Sequence, residues 1–284
     1  MIPMQEKYFP TNQLQSIENT QSFIPLDHGQ RALWHLYQMA PKSTALNIYC
    51  TVEFSSEFNL TSWHRAWQKI GERHSILRTT YTSREGQPVQ VVDPHREIEI
   101  EVTDASNWSE DYLKTQILAT ADCPFDLEKG SVLRVQLYTR HDKTSVQVLV
   151  MHHIAGDMWS FDILLEELQR LYAKEMEVLE GDSAKGNDVI NKVDPLPWQY
   201  TDYVSWQEKT LESAKGKQLW AYWKLELGGE LPVLNLPTDR RRPPVQTYEG
   251  NSQFIEVDKA LVAQFSGFIH PPMGYSEEVI KYEL

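Results

Sequence analysis

The residues best suited to move a proton in this chain are His152, His153 and Asp157, which stand together in the run Met151-His152-His153-Ile154-Ala155-Gly156-Asp157. Imidazole changes charge nearest neutral pH, so a neutral histidine Nε2 can take the proton of a nucleophile at pH 7. A carboxylate four residues past His153 can orient an imidazole, or hold a cation that shapes the loop. Residues 145–151 (SVQVLVM) read as a strand. Neighbouring strand residues point to opposite faces, so the two histidines cannot both address one small cavity unless the backbone turns between them. One serves structure and the other function. The same divergence, with no further ligand cluster nearby, argues against a metal centre on His152, His153 and Asp157.

The elements around this run are legible from apolar spacing. Beyond Gly156 and Asp157, the side chains of Phe161, Leu164, Leu165, Leu168 and Leu171 form a helical stripe over 159–171, so the histidine pair sits at a strand-to-helix junction. Residues 132–138 alternate Leu133, Val135 and Leu137 with polar partners, and the polar turn 139–144 (TRHDKT) predicts an antiparallel hairpin with 145–151. Upstream, the pattern predicts a helix over 30–39 closed by Pro41, a strand over 47–54 and a helix over 60–72 carrying Leu60, Trp63, Trp67 and Ile70. Strands follow at 88–92 and 98–102, then a helix over 111–121. Residues 174–192 are charged and without an apolar period, and read as a solvated connector. An aromatic helical stretch over 201–227, whose Tyr203, Trp206, Trp220 and Trp223 must find apolar partners, precedes a proline-rich loop at 236–245.

Composition narrows the class. Hydrophobic residues make up 41% and charged residues 24% of the 284, so the chain can bury a core, with its nine tryptophans as core or interface anchors. No apolar run approaches the roughly 20 residues needed to cross a bilayer, and residues 1–10 (MIPMQEKYFP) lack the regions of a secretory signal. A cytoplasmic protein with no membrane partner is expected. Cys50 and Cys123 follow no CxxC spacing and read as reduced thiols. The formal net charge of −13 opposes a polyphosphate backbone, so nucleic acid is not an expected partner.

The histidine run also belongs to a wider resemblance. His152-His153-Ile154-Ala155-Gly156-Asp157 is similar to the HHxxxD core of condensation domains of nonribosomal peptide synthetases, relatives of chloramphenicol acetyltransferase. Four further segments stand in that family's order: Gln30-Arg31-Ala32-Leu33-Trp34, Arg73-His74-Ser75-Ile76-Leu77-Arg78-Thr79, Tyr200-Thr201-Asp202-Tyr203-Val204-Ser205-Trp206-Gln207 and Leu236-Pro237-Thr238-Asp239-Arg240. The resemblance implies an α/β (α+β) fold of the chloramphenicol acetyltransferase type, a mixed, mostly antiparallel sheet flanked by helices. It implies acyl transfer that forms a peptide or N-acyl amide between a carrier-bound thioester and an aminoacyl acceptor. His153 would be the active-site histidine and His152 a buried structural neighbour. Gly156 would lie in the junction, and Asp157 would pair with Arg78 to hold the loop. No tightly bound cofactor is implied. Substrates would arrive on the phosphopantetheine of acyl or peptidyl carrier proteins, and these, with other synthetase domains, are the implied partners. Met158 stands where the family usually has glycine, and its bulk is expected to narrow the tunnel beside the loop.

The likeness runs from about residue 23 to 264. It predicts a flexible leader over 1–22, an N-terminal condensation subdomain over 23–180, a connector over 181–194, the start of a second subdomain over 195–264 and a divergent tail over 265–284. The family's tunnel lies between two similar halves, and most of the second is not recognised in this sequence. An exposed apolar interface is therefore expected. It would belong to a chain that self-associates, meets a second-half partner, or serves as an inactive docking module.

Overall fold

A computed structural model describes residues 23–55, 59–141, 143–180, 195–241, 243–245, 257–258 and 261. The expected leader, connector 181–194 and tail lie outside these. The chain divides into two units, Met1–Leu225 and Glu226–Leu284.

The first unit is built on a four-stranded sheet in the order β2 (Asn47–Phe54), β7 (Ser145–His152), β6 (Leu133–Thr139), β5 (Glu99–Asp104). β7 pairs antiparallel with both neighbours, as the expected hairpin requires, and β5 runs parallel to β6. All eight residues of β7 are buried, because elements cover both faces of this central strand. On the face of Gln147, the indole N–H groups of Trp63 and Trp67 donate to its Oε1 at 2.9 and 3.2 Å. Those tryptophans come from helix α2 (Leu60–Arg73), which packs on α4 (Met158–Glu180). Helix α3 (Glu110–Ala121) contacts β7 and β2.

A second sheet has the order β1 (Phe23–Pro25), β4 (Gln87–Val92), β3 (Thr79–Arg84), all antiparallel. Strand β3 (TTYTSR) escapes a hydrophobic reading, since only Tyr81 supplies large apolar surface. Its turn has a local cause: Glu85 and Gly86 both take positive φ, 52° and 77°, the two-residue connection that matches strand twist. Helix α1 (His28–Met39) starts at Asp27, whose carboxylate accepts from Gln30 N while the Gln30 side chain accepts from Asp27 N.

Two sequence expectations need correction. Helix α4 does not fray at Lys174 but continues to Glu180. Its charges misled because Glu175 is buried, paired with Lys69 and, at 3.8 Å, with Arg65 of α2. The aromatic stretch is two helices, α5 (Tyr200–Glu212) and α6 (Ala214–Glu226), divided at Ser213. There Ser213 Oγ accepts from Gly216 N at 3.3 Å.

The first unit includes α5 and reaches Leu225. The reason is a set of bonds from α5 back to the start of the fold. Gln199 accepts from Ser75 N at 2.9 Å and donates to Arg73 O at 2.9 Å. Gln207 accepts from His28 N at 3.1 Å, and Tyr200 Oη donates to Asp27. Trp34, Trp63 and Trp67 are buried, but Trp220 and Trp223 on α6 remain 71% and 53% exposed, less covered by the described residues than expected. Tyr222 and Leu219 are exposed on the same helix. In the second unit, the described residues of the proline-rich loop are exposed and form neither helix nor strand. No helix among the described residues is long and apolar enough to cross a membrane.

Candidate active site

Strand alternation separates the two histidines. Gln147, Leu149 and Met151 share the face that meets α2, and His153, one residue past the strand end, keeps their parity. His152 turns to the other face, where the rings of Tyr37 and Phe125 stand edge-on at 6.4 and 6.3 Å between centroids. It is 3% exposed. Its Nδ1 accepts from Ile154 N at 3.1 Å. Burial, and to a lesser extent the neighbouring His153, pushes its pKa down to about 4, so this ring stays neutral at pH 7.

His153 is exposed. Its backbone N–H donates to Leu46 O at 2.8 Å, which ties the first residue of the turn to the entry of β2. Its Nδ1 lies 2.7 Å from Gly156 O. A carbonyl can only accept, so Nδ1 must carry the proton, and in the neutral ring Nε2 holds the free lone pair. No partner for Nε2 is found among the described residues. The turn needs a glycine at 156 for space rather than for φ. A Cβ there would stand 2.6 Å from Met151 Sδ and 2.9 Å from Ser160 Oγ.

The expected Asp157–Arg78 pair is not formed. Asp157 Oδ1 accepts from both Ser160 N and Ser160 Oγ, at 2.9 and 2.8 Å, and Asp157 N donates to Ser160 Oγ at 3.0 Å. This is a cap on the first turn of α4, where free amide groups favour a carboxylate. Arg78 spends its donors on backbone carbonyls instead: Gly71 O at 2.8 Å, Glu72 O at 3.3 Å and Asp93 O. An arginine clasp on α4 does exist, ten residues further along. Glu167, buried, takes Arg73 Nε at 3.1 Å and His74 Nε2 at 2.8 Å. Burial alone would raise the Glu167 pKa, but its hydrogen bonds and charge contacts with His74 and Arg73 outweigh this and hold it below the usual range.

His153 opens on a cavity of about 330 Å³ whose wall includes His74, Met151, Gly156, Asp157, Ile163 and Tyr200. Met158 is not part of that wall. It packs against the hydrophobic core, so its bulk does not narrow this space. His74 and Tyr200 join the site without having been singled out, although both lie in motif segments; Glu167 carried no signal beyond being one acid on a helix.

The comparisons with known proteins agree with this architecture. A family model described as the condensation domain matches residues 20–271, and the chain belongs to that family. It is 35% identical over 244 residues to one of the proteins that make up the linear gramicidin synthase of Brevibacillus parabrevis, covering 84% of this chain and 3% of that protein. To surfactin synthase subunit 1 of Bacillus subtilis (strain 168) it is 31% identical over 279 residues, covering 92% and 7%. Among solved structures, the condensation domain from the monacolin K polyketide synthase MokA matches with a TM-score of 0.70 at 18% identity, over 87% of this chain and 54% of that one. The X-domain solved in complex with OxyB from teicoplanin biosynthesis matches with a TM-score of 0.71 at 19% identity, over 92% and 55%. The chain thus spans a few per cent of the synthetases' length and about half of the solved chains. The fold is that of the condensation domains, a mixed α+β arrangement of sheets flanked by helices.

Proposed function

We propose that this chain contributes the catalytic histidine of an amide-forming acyltransferase in nonribosomal peptide synthesis, working in the cytoplasm on substrates held by the phosphopantetheine arms of carrier proteins. The observation that carries the reading is the state of His153. Its ring is exposed beside a cavity of ligand size, with Nδ1 bound to Gly156 O and Nε2 without a protein partner among the described residues. In the reaction, the acceptor amine attacks the thioester carbonyl. The C–N bond forms and the C–S bond breaks. Nε2 accepts the hydrogen bond of the attacking amine, and the amine's proton leaves with the departing sulfur as thiol.

The test uses one carrier loaded with an acyl thioester and a second loaded with an aminoacyl group, with the product read by mass spectrometry. Amide from the native chain, and none from a folded His153→Ala variant, is the expected result. Absence of amide from the native chain in every assembly state would overturn it and leave a docking role.

A second reading is favoured by one observation, the aromatic face of α6 with Leu219, Trp220, Tyr222 and Trp223 open to solvent. On this reading the active form is a homo-oligomer in which a second copy covers that face. Light scattering would then give at least twice the mass of one chain. A strict monomer contradicts it.

A further inference from the structure

Behind the turn that carries His153 lies a buried polar chain that the reaction does not use directly. Gln30, 2% exposed, sends its Nε2 to Ile154 O at 3.3 Å and to Tyr81 Oη at 3.4 Å. Tyr81, fully buried, also reaches Ile154 O at 3.5 Å. On the other side, Gln30 Oε1 accepts from Asp27 N and from Gln90 Nε2, each at 3.3 Å. Asp27, 4% exposed, accepts from Gln30 N with Oδ1 and from the Tyr200 hydroxyl with Oδ2. Tyr200 lines the same cavity as His153.

The two peptide units that flank Ile154 are thereby both held, the first through its N–H by His152 and the second through its C=O by Gln30 and Tyr81. Ile154 follows His153 directly and precedes Gly156 by two residues, so the orientation of these two peptide units bears on where the Gly156 carbonyl meets the His153 ring. Six buried or half-buried polar groups at one turn are far more than packing needs. Apolar residues of the same shape would avoid the desolvation that each one suffers.

Resting on the reading of His153 given above, we propose that Gln30 is a positioning residue for that imidazole, anchored from the cavity wall through Asp27 by Tyr200. It touches no substrate. It holds the Ile154 peptide so that Nδ1 keeps its proton on Gly156 O and Nε2 stays free.

The test is made on the full chain with ¹⁵N-labelled histidine, the His153 signal being assigned by its loss in His153→Ala. Gln30→Met keeps volume and removes both the donor and the acceptor. It should shift the His153 signal from a single Nδ1–H tautomer to a mixture. Amide turnover should fall roughly 10- to 100-fold at unchanged KM, as misplacement by about an ångström does. Tyr200→Phe, which removes one hydroxyl, should move both readouts in the same direction by a smaller amount, roughly 3- to 10-fold in turnover. A folded Gln30→Met variant with the native tautomer and native turnover overturns the proposal. If Gln30→Met does not fold, Tyr200→Phe decides by the same two readouts. If the native chain makes no amide while the imidazole signal still moves, the positioning role stands and the assigned reaction falls.

Discussion

His153 Nδ1 lies 2.7 Å from the carbonyl oxygen of Gly156, and this one contact decides which ring nitrogen is free. A histidine held this way meets a nucleophile through Nε2 in a fixed tautomer, without a carboxylate partner among the described residues. The role that Asp157 would otherwise fill passes to a backbone carbonyl three residues along.

Gly156→Ala should therefore disturb catalysis more than folding. The added Cβ would press on Met151 Sδ at 2.6 Å and Ser160 Oγ at 2.9 Å, one side chain buried in the core and the other engaged in the helix cap. Overpacking of this kind costs about 1–3 kcal/mol. Urea denaturation should show that loss, while amide turnover drops by more than the folded fraction explains. Equal losses in both would mean that the carbonyl does not orient the ring.

Asp157, which caps α4, and Glu167, within it, should separate cleanly in stability. Glu167→Gln strips a buried charge from Arg73 and His74, and breaking such a pair costs about 3–5 kcal/mol. Asp157→Asn keeps an oxygen acceptor for Ser160 N and should cost under about 1 kcal/mol. Because Asp157 and Arg78 share no contact, Asp157→Asn and Arg78→Lys should add to within about 0.5 kcal/mol in a double-mutant cycle. A coupling well above that restores the ion pair expected from sequence.

Acid sensitivity should trace to His152. Its folded pKa, about 4, is below the value of 6.5 for a free imidazole, so between those values the unfolded chain binds more protons. Its neutral, buried state is therefore favourable above pH 6.5, and that contribution is lost as pH falls toward 4, by roughly 3 kcal/mol. His152→Asn, which leaves an acceptor for Ile154 N, should flatten the stability curve over this window. The same slope in the variant would assign the acid sensitivity elsewhere.

The sequence made the central strand, its flanking helices and the opposite facing of His152 and His153 readable, because alternation and helical stripes are local patterns. Partner choice was not local. Asp157 and Arg78 had the right charges to meet, yet the helix N-terminus claimed one and the end of α2 with the Asp93 carbonyl claimed the other. The charged run after Lys174 hid a helix because nothing in it showed that Lys69, 106 positions away, would bury Glu175. Tyr200 and Gln30 lay in motif segments, but their joining through Asp27 depends on α5 folding back onto the start of α1.

The two thiols should differ in reactivity. Burial pushes the Cys50 pKa up to about 12, and the nearby Asp162 adds to the effect, whereas Cys123 is exposed. Since the thiolate is the reacting form, alkylation at pH 8 in the native state should label Cys123 quickly, and Cys50 only after unfolding. Rapid double labelling would show that β2 opens in the native ensemble.

The claim on which the account rests is that the Nε2 of His153 serves the attacking amine. The direct measurement is the single-turnover rate of amide formation with loaded carriers, native chain against a His153→Ala variant of unchanged thermal midpoint. A loss of about 10²- to 10⁴-fold is the predicted result. A rate within twofold of native would contradict it and move the chemistry to another residue of the cavity.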